Sequence, residues 1–91
     1  MSEIYVVWEG NIKFYKKGSV PHRDDGPAVI EYYDDGSVYS ESYWQNGERH
    51  RDDGPAYIEY NKRGEACIEE WIVNGKRTDI KAKCILELFK S

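Results

Sequence analysis

Cysteine, proline and methionine are scarce in this chain: two Cys, three Pro and one Met in 91 residues. Two cysteines cannot build the disulfide framework that holds core-poor secreted domains together. The expectation is two reduced thiols, Cys67 and Cys84, in a cytoplasmic protein. No apolar run approaches the ~20 residues that span a bilayer. The opening residues Met1–Gly10 lack a basic stretch followed by a long apolar core, so no signal peptide is expected. There is no excess of positive charge. Seventeen acids against 13 bases leave a net charge of −4, which argues against a nucleic-acid-coating surface. Walker A, GxGxxG, CxxC, HExxH and GxSxG patterns are all missing. No enzyme activity, cofactor or metal centre is therefore expected.

Aromatic residues are what the chain has in quantity. Three Trp, eight Tyr and two Phe make up 14% of it. Disordered chains are poor in aromatics, so this one folds, as one small domain with a thin core.

Self-similarity organises the sequence. His22 to Arg49 reads HRDDGPAVIEYYDDGSVYSESYWQNGER, and His50 to Arg77 reads HRDDGPAYIEYNKRGEACIEEWIVNGKR. The two align without a gap at a period of 28, with 15 identities. A third copy starts at Thr78-Asp79 and stops. Upstream, FYKKGSVPHRDDGPA matches YWQNGERHRDDGPA with one extra residue near Pro21, as in the back half of a degenerate repeat. The divisions are residues 1–21, 22–49, 50–77 and 78–91.

Each repeat reads as a β-hairpin. Pro27 to Tyr33 and Ser37 to Trp44 flank Asp34-Asp35-Gly36. Pro55 to Tyr60 and Glu65 to Val73 flank Asn61-Lys62-Arg63-Gly64. Gly turns between β-rich runs are a strong hairpin signal. Ile4 to Trp8 and Asn11 to Tyr15 form a first hairpin about Glu9-Gly10. In the tail, Ile80, Cys84 and Leu88 fall at helical spacing, widened by Ile85 and Phe89, with Thr78 or Asp79 as cap. A short amphipathic helix over 79–90 that closes the sheet is expected. The predicted fold is mainly β: a twisted antiparallel sheet of tandem hairpins with that C-terminal helix.

The pattern HRxDGPA, strand, Gly turn, strand, W-x-N-G resembles MORN-type repeats, in the variant form found in phage, giant-virus and bacterial toxin–antitoxin proteins. The resemblance covers Phe14 to Arg77. The better-known eukaryotic unit is about five residues shorter and has a Gly-x-Gly core that HRDDGPA does not reproduce. Lipid binding, sometimes ascribed to that family, is not carried over. What the resemblance implies is a scaffold or adaptor.

Strict alternation along each strand assigns Ala28, Ile30, Tyr32, Val38, Ser40 and Ser42 to one face, with Ala56, Ile58, Tyr60, Ala66, Ile68 and Ile72. This more apolar face is the expected core, under the helix. The other face then carries Val29, Glu31, Tyr33, Tyr39, Glu41, Tyr43, Tyr57, Glu59, Cys67, Glu69 and Trp71. Its acids and aromatics have two readings. One is a solvated surface, where cross-strand aromatic pairs stabilise hairpins without a ligand. The other is a protein-binding face centred on Tyr39, Glu41, Tyr43, Tyr57, Glu59, Glu69 and Trp71, selecting a basic partner surface.

The corners His22-Arg23-Asp24-Asp25-Gly26-Pro27 and His50-Arg51-Asp52-Asp53-Gly54-Pro55 read as structural. Identical copies in each repeat suit a corner better than a catalytic or metal site. Asp caps the turn, Gly supplies unusual φ/ψ, Pro starts the strand, and Arg braces Asp across neighbouring loops. The leading function is a non-enzymatic protein-binding module. By analogy with phage repeat proteins it is an inhibitor of a host protein or defence complex, such as a CRISPR complex, and acts by surface occlusion. Two alternatives are a small anionic ligand (a nucleotide) held between repeats by Arg23, Arg51, His22 and His50, and a structural assembly piece with open sheet edges.

Overall fold

The computed structural model describes residues 3–84. They form ten strands: β1 (Ile4–Glu9), β2 (Ile12–Lys17), β3 (Val20–Pro21), β4 (Val29–Tyr32), β5 (Val38–Ser42), β6 (Trp44–Gln45), β7 (Glu48–Arg49), β8 (Tyr57–Tyr60), β9 (Ala66–Val73) and β10 (Lys76–Ala82). One antiparallel sheet runs β1-β2-β4-β5-β8-β9-β10, with β3 paired to β2, and β6 and β7 make a separate ribbon. The protein is mainly β, built of antiparallel hairpins.

The turns follow from local chemistry. Asn46-Gly47 and Asn74-Gly75 both have positive φ at both positions, the pattern of a type I′ hairpin, whose twist matches the strands it joins. Between β4 and β5, the Asp35 carboxylate accepts from the N–H and hydroxyl of Ser37. Between β8 and β9, the Asn61 carbonyl oxygen accepts from the N–H groups of Arg63 and Glu65. Both are Asx-type turns, in which a short polar side chain replaces a backbone acceptor.

The degenerate N-terminal unit needs no inserted residue. Gly18, with φ of 63°, holds the position 28 residues before Asn46, with φ of 52°. His22 N–H donates to Tyr15 O as His50 N–H donates to Tyr43 O. The period therefore starts at Tyr15, without the extra residue expected near Pro21.

A β-bulge in each repeat overturns the expected faces. Near the first turn Tyr32 lies opposite Val38, but beyond it Glu31 pairs with Ser40 and Ile30 with Glu41. In the second repeat Tyr60 lies opposite Ala66, then Glu59 pairs with Ile68 and Ile58 with Glu69. Tyr39 and Cys67 are the extra residues. One added residue moves every later side chain of β5 and β9 to the opposite face. The front face carries the row Trp8, Lys13, Ile30, Glu41, Ile58, Glu69, Lys81, and the back face the row Glu9, Ile12, Glu31, Ser40, Glu59, Ile68, Ala82.

The apolar core is correspondingly small. Among the described residues the buried apolar side chains are Ala28, Ile30, Ala56, Ile58 and Ile72. The molecule measures 50 × 31 × 17 Å, close to a single sheet with its side chains. Large and small residues alternate across the front face. One step beyond the Phe14–Val29 pair, Tyr15, Ala28, Tyr43, Ala56 and Trp71 lie side by side, linked by Tyr15 N–H to Ala28 O and Tyr43 N–H to Ala56 O. Rings over alanines exclude water where no second layer lies among the described residues.

Two expectations for the C-terminal region are corrected. Asp79–Ala82 belong to β10, paired with Trp71–Ile68 of β9, so no helix starts at Thr78 or Asp79. Ile85, Leu88 and Phe89 lie outside the described residues. The reason is the missing third corner. Where His22 and His50 lead the chain off the sheet, Thr78 forms a bulge in the β9–β10 pairing, and its hydroxyl donates to Trp71 O. The chain then continues back along β9. Cys67 and Cys84 are not reduced thiols but a disulfide, 17 residues apart in sequence. That pairing gives no support to a cytoplasmic location, where thiols are kept reduced. No helix among the described residues is long and apolar enough to cross a membrane.

Candidate functional site

Each HRDDGPA corner is a bracket between consecutive units. His22 is 5% exposed. Its Nδ1 accepts from Asn46 N–H at 2.9 Å and its Nε2 lies 3.0 Å from Asp24 Oδ1. His50 repeats the arrangement with Asn74 N–H at 2.9 Å and Asp52 at 3.2 Å. A neutral imidazole protonated on Nε2 satisfies both contacts. Each histidine thus pins the Asn-Gly turn 24 residues ahead.

The arginines secure the other side. Arg23 donates to Asp25 and to Pro27 O, and its guanidinium sits 3.9 Å from the centre of the Tyr15 ring. Arg51 donates to Asp53 and Pro55 O, 4.0 Å from the Tyr43 ring. The arginines therefore brace Asp within their own corner, not across neighbouring loops. A Cβ on Gly26 would meet Arg23 Cζ at 3.0 Å, and one on Gly54 would meet Arg51 Cζ at 2.9 Å. Neither glycine has a positive φ. Their role is room for the guanidinium rather than unusual φ/ψ. The third ring of the column, Trp71, has Lys81 over it at 5.4 Å, in place of the corner arginine.

The seven residues expected to share one binding face divide. Glu41, Tyr43, Glu69 and Trp71 lie on the front, among buried Ile30 and Ile58. All are half-buried and engaged. Glu41 accepts from the Tyr60 hydroxyl at 2.7 Å, and Lys83 bridges to Glu69 at 2.7 Å. Tyr39, Tyr57 and Glu59 lie on the back, and there the structure brings Glu31 and Tyr33 beside them. The Tyr57 hydroxyl donates to Glu59 at 2.6 Å. Burial, with the Glu59 carboxylate close by, raises the phenol pKa of both Tyr39 and Tyr57. Tyr33 packs edge-on to Tyr39 at 5.3 Å, with Lys62 5.3 Å from the Tyr33 ring. Arg49 lies over Tyr57 at 4.8 Å and Trp44 at 5.5 Å, and its buried Nε has no hydrogen-bond partner. Alternation already places these five residues, Glu31, Tyr33, Tyr39, Tyr57 and Glu59, on one face. What it misses is that the bulges at Tyr39 and Cys67 turn Glu41, Tyr43, Glu69 and Trp71 to the front, because a bulge leaves no mark in the hydrophobic pattern.

A cleft of about 590 Å³ opens between the two corners, lined by Arg23, Asp24, Asp25, Tyr43, Arg51, Asp52 and Asp53 among others. Both guanidiniums are already bonded to a carboxylate and a carbonyl, and four carboxylates line the cleft against two guanidiniums. The potential there is negative, which disfavours an anionic ligand. Among the described residues no three His, Cys, Asp or Glu side chains converge as a metal site would require. No family model, curated protein or solved structure matches this chain.

Proposed function

We propose that this chain is a non-enzymatic protein-binding module, and that its contact surface is the back-face cluster of Tyr33, Tyr39, Tyr57, Glu31 and Glu59. The observation that carries the reading is the single-layer architecture. Large rings and carboxylates stand together on a face that, among the described residues, only the β6–β7 ribbon partly covers, through Trp44 on Ser42 and Arg49 over Tyr57. Tyr and Trp dominate binding hot spots because they offer broad, stiff, amphipathic contact area. Glu59 already holds the Tyr57 phenol and Tyr33 packs on Tyr39, so the cluster is pre-organised and loses little freedom on binding. Its carboxylates favour a Lys/Arg-rich partner surface. Extended to a biological role, and consistent with the resemblance to phage repeat proteins, the module inhibits a host protein or defence complex by occlusion. The anionic-ligand reading is weaker, because the corner cations are internally neutralised.

The test is a binding assay against proteins captured with the wild-type chain. Glu31→Lys with Glu59→Lys should slow association and weaken its dependence on salt. Glu41→Lys with Glu69→Lys, on the front, should leave association unchanged. The opposite pattern, in variants shown by circular dichroism to be folded, would move the interface to the front face.

A further inference from the structure

The two ends of the sheet are chemically unlike. The two-residue turn Gly10-Asn11 closes on the pair Glu9–Ile12, and in such a hairpin the closing pair exchanges both backbone hydrogen bonds. Alternate residues face the other way, so the N–H and C=O groups of Ile4, Val6 and Trp8 point out of the sheet. Among the described residues nothing guards this edge. Between Ile4 and Trp8 there is no charge and no proline, and the register with β2 is unbroken. Tyr5 is 46%, Val6 46% and Trp8 54% exposed. Sheet edges are ordinarily blunted by Lys, Pro or a bulge, because a flat apolar edge templates another strand.

The far end, β10, is exposed along its whole length and is basic. Lys76, Arg77 and Lys81 lie on it with Asp79 as its one acid, Lys83 follows directly, and Ile80 is 45% exposed. By contrast, β1 is bracketed by Glu3 and Glu9. The strands also match in length, six residues against seven.

We infer that copies of this chain associate head to tail, with β1 of one copy pairing edge to edge with β10 of the next, so that the sheet runs on from molecule to molecule. Glu3 and Glu9 then meet the basic ends of β10, whichever way the strands run. Two β1 strands pairing antiparallel about Val6 would instead set Glu3 against Glu9 of the other copy. That like-charge contact disfavours the two-fold alternative. Because the two edges differ, the contact is heterologous and generates an open series rather than a closed dimer. It uses neither the back-face cluster nor the corners, so it stands or falls independently of the proposed partner site.

Sedimentation velocity over a wide concentration range tests it. The average mass should rise past two chains with concentration and fall with added salt. Val6→Pro removes an outward N–H while sparing the β1–β2 ladder, and should leave a monomer. Glu3→Lys with Glu9→Lys, which touches no backbone bond, should weaken association at least tenfold even if the proline variant fails to fold. Mixing that chain with a Lys76→Glu/Lys81→Glu chain pairs reversed β1 with reversed β10 and should restore association. A wild-type chain that stays monomeric throughout overturns the inference, as does a mass that stops at two and ignores the charge reversals.

Discussion

Reducing the Cys67–Cys84 disulfide should destabilise the domain by about 3 kcal/mol. The bridge spans 17 residues. In the chain-entropy picture a closed loop of about 15 residues removes roughly 3 kcal/mol of unfolded-state freedom at 25 °C. The loss is large for a domain whose total stability is on the order of 5–15 kcal/mol, and this one buries few apolar side chains. Among the described residues little else holds the end of β10. Its seven residues are all exposed, so the backbone ladder, the Lys83–Glu69 bridge and the disulfide carry the attachment. For a chain of this length each kcal/mol shifts the midpoint by roughly 4–8 °C, so the expected fall in Tm is about 12–24 °C. The assay is a thermal melt with and without a dithiol reductant, on the wild type and on Cys84→Ser. The variant should match the reduced wild type and ignore the reductant. Local release of β10 would appear as lost hydrogen-exchange protection at Lys81 and Ala82 with a smaller change in Tm, because the cost cannot exceed the free energy that holds β10 on β9. The reasoning fails if non-reduced protein titrates with two free thiols, or if reduction changes neither Tm nor exchange.

Three further outcomes follow from the corners and the tyrosines. His22→Ala leaves the Asn46 N–H without its acceptor in a buried site and should cost about 1–3 kcal/mol by chemical denaturation. His50→Ala should cost less, because that ring is more exposed, 21% against 6% for its side chain. Gly26→Ala and Gly54→Ala should each push an arginine off its tyrosine and lose about 0.5–1 kcal/mol of cation–π attraction, read as a lower urea midpoint. Burial and the neighbouring carboxylates Glu59 and Glu41 raise the pKa of Tyr57 and Tyr60 in the folded state. Their contribution is therefore fully present below the unfolded value of about 10 and is lost as pH rises toward the folded one. The melting midpoint should fall above that point, and Tyr60→Phe should soften the fall.

Much of this molecule is legible in its one-dimensional pattern. The 28-residue period and the Asn-Gly and Asp-Gly turns follow from local rules, because a turn's backbone conformation depends on the few residues within it. Gly18 standing where Asn46 stands shows how literal that code is. Three features depended on neighbours far along the chain. The bulges at Tyr39 and Cys67 reverse the faces of β5 and β9, since with a side-chain period of two a single unpaired residue flips all that follow. The apolar spacing of Ile80 and Cys84 fits a helix, yet β9 presents an open row of hydrogen-bonding groups, and without a third corner to divert it the chain fills that edge as β10. The disulfide is decided in the same way. Nothing in the spacing of Cys67 and Cys84 joins them, and the β9–β10 pairing brings their Cα atoms to 4.8 Å. Contacts within a turn are local and therefore readable, whereas register between strands is settled by the sheet as a whole.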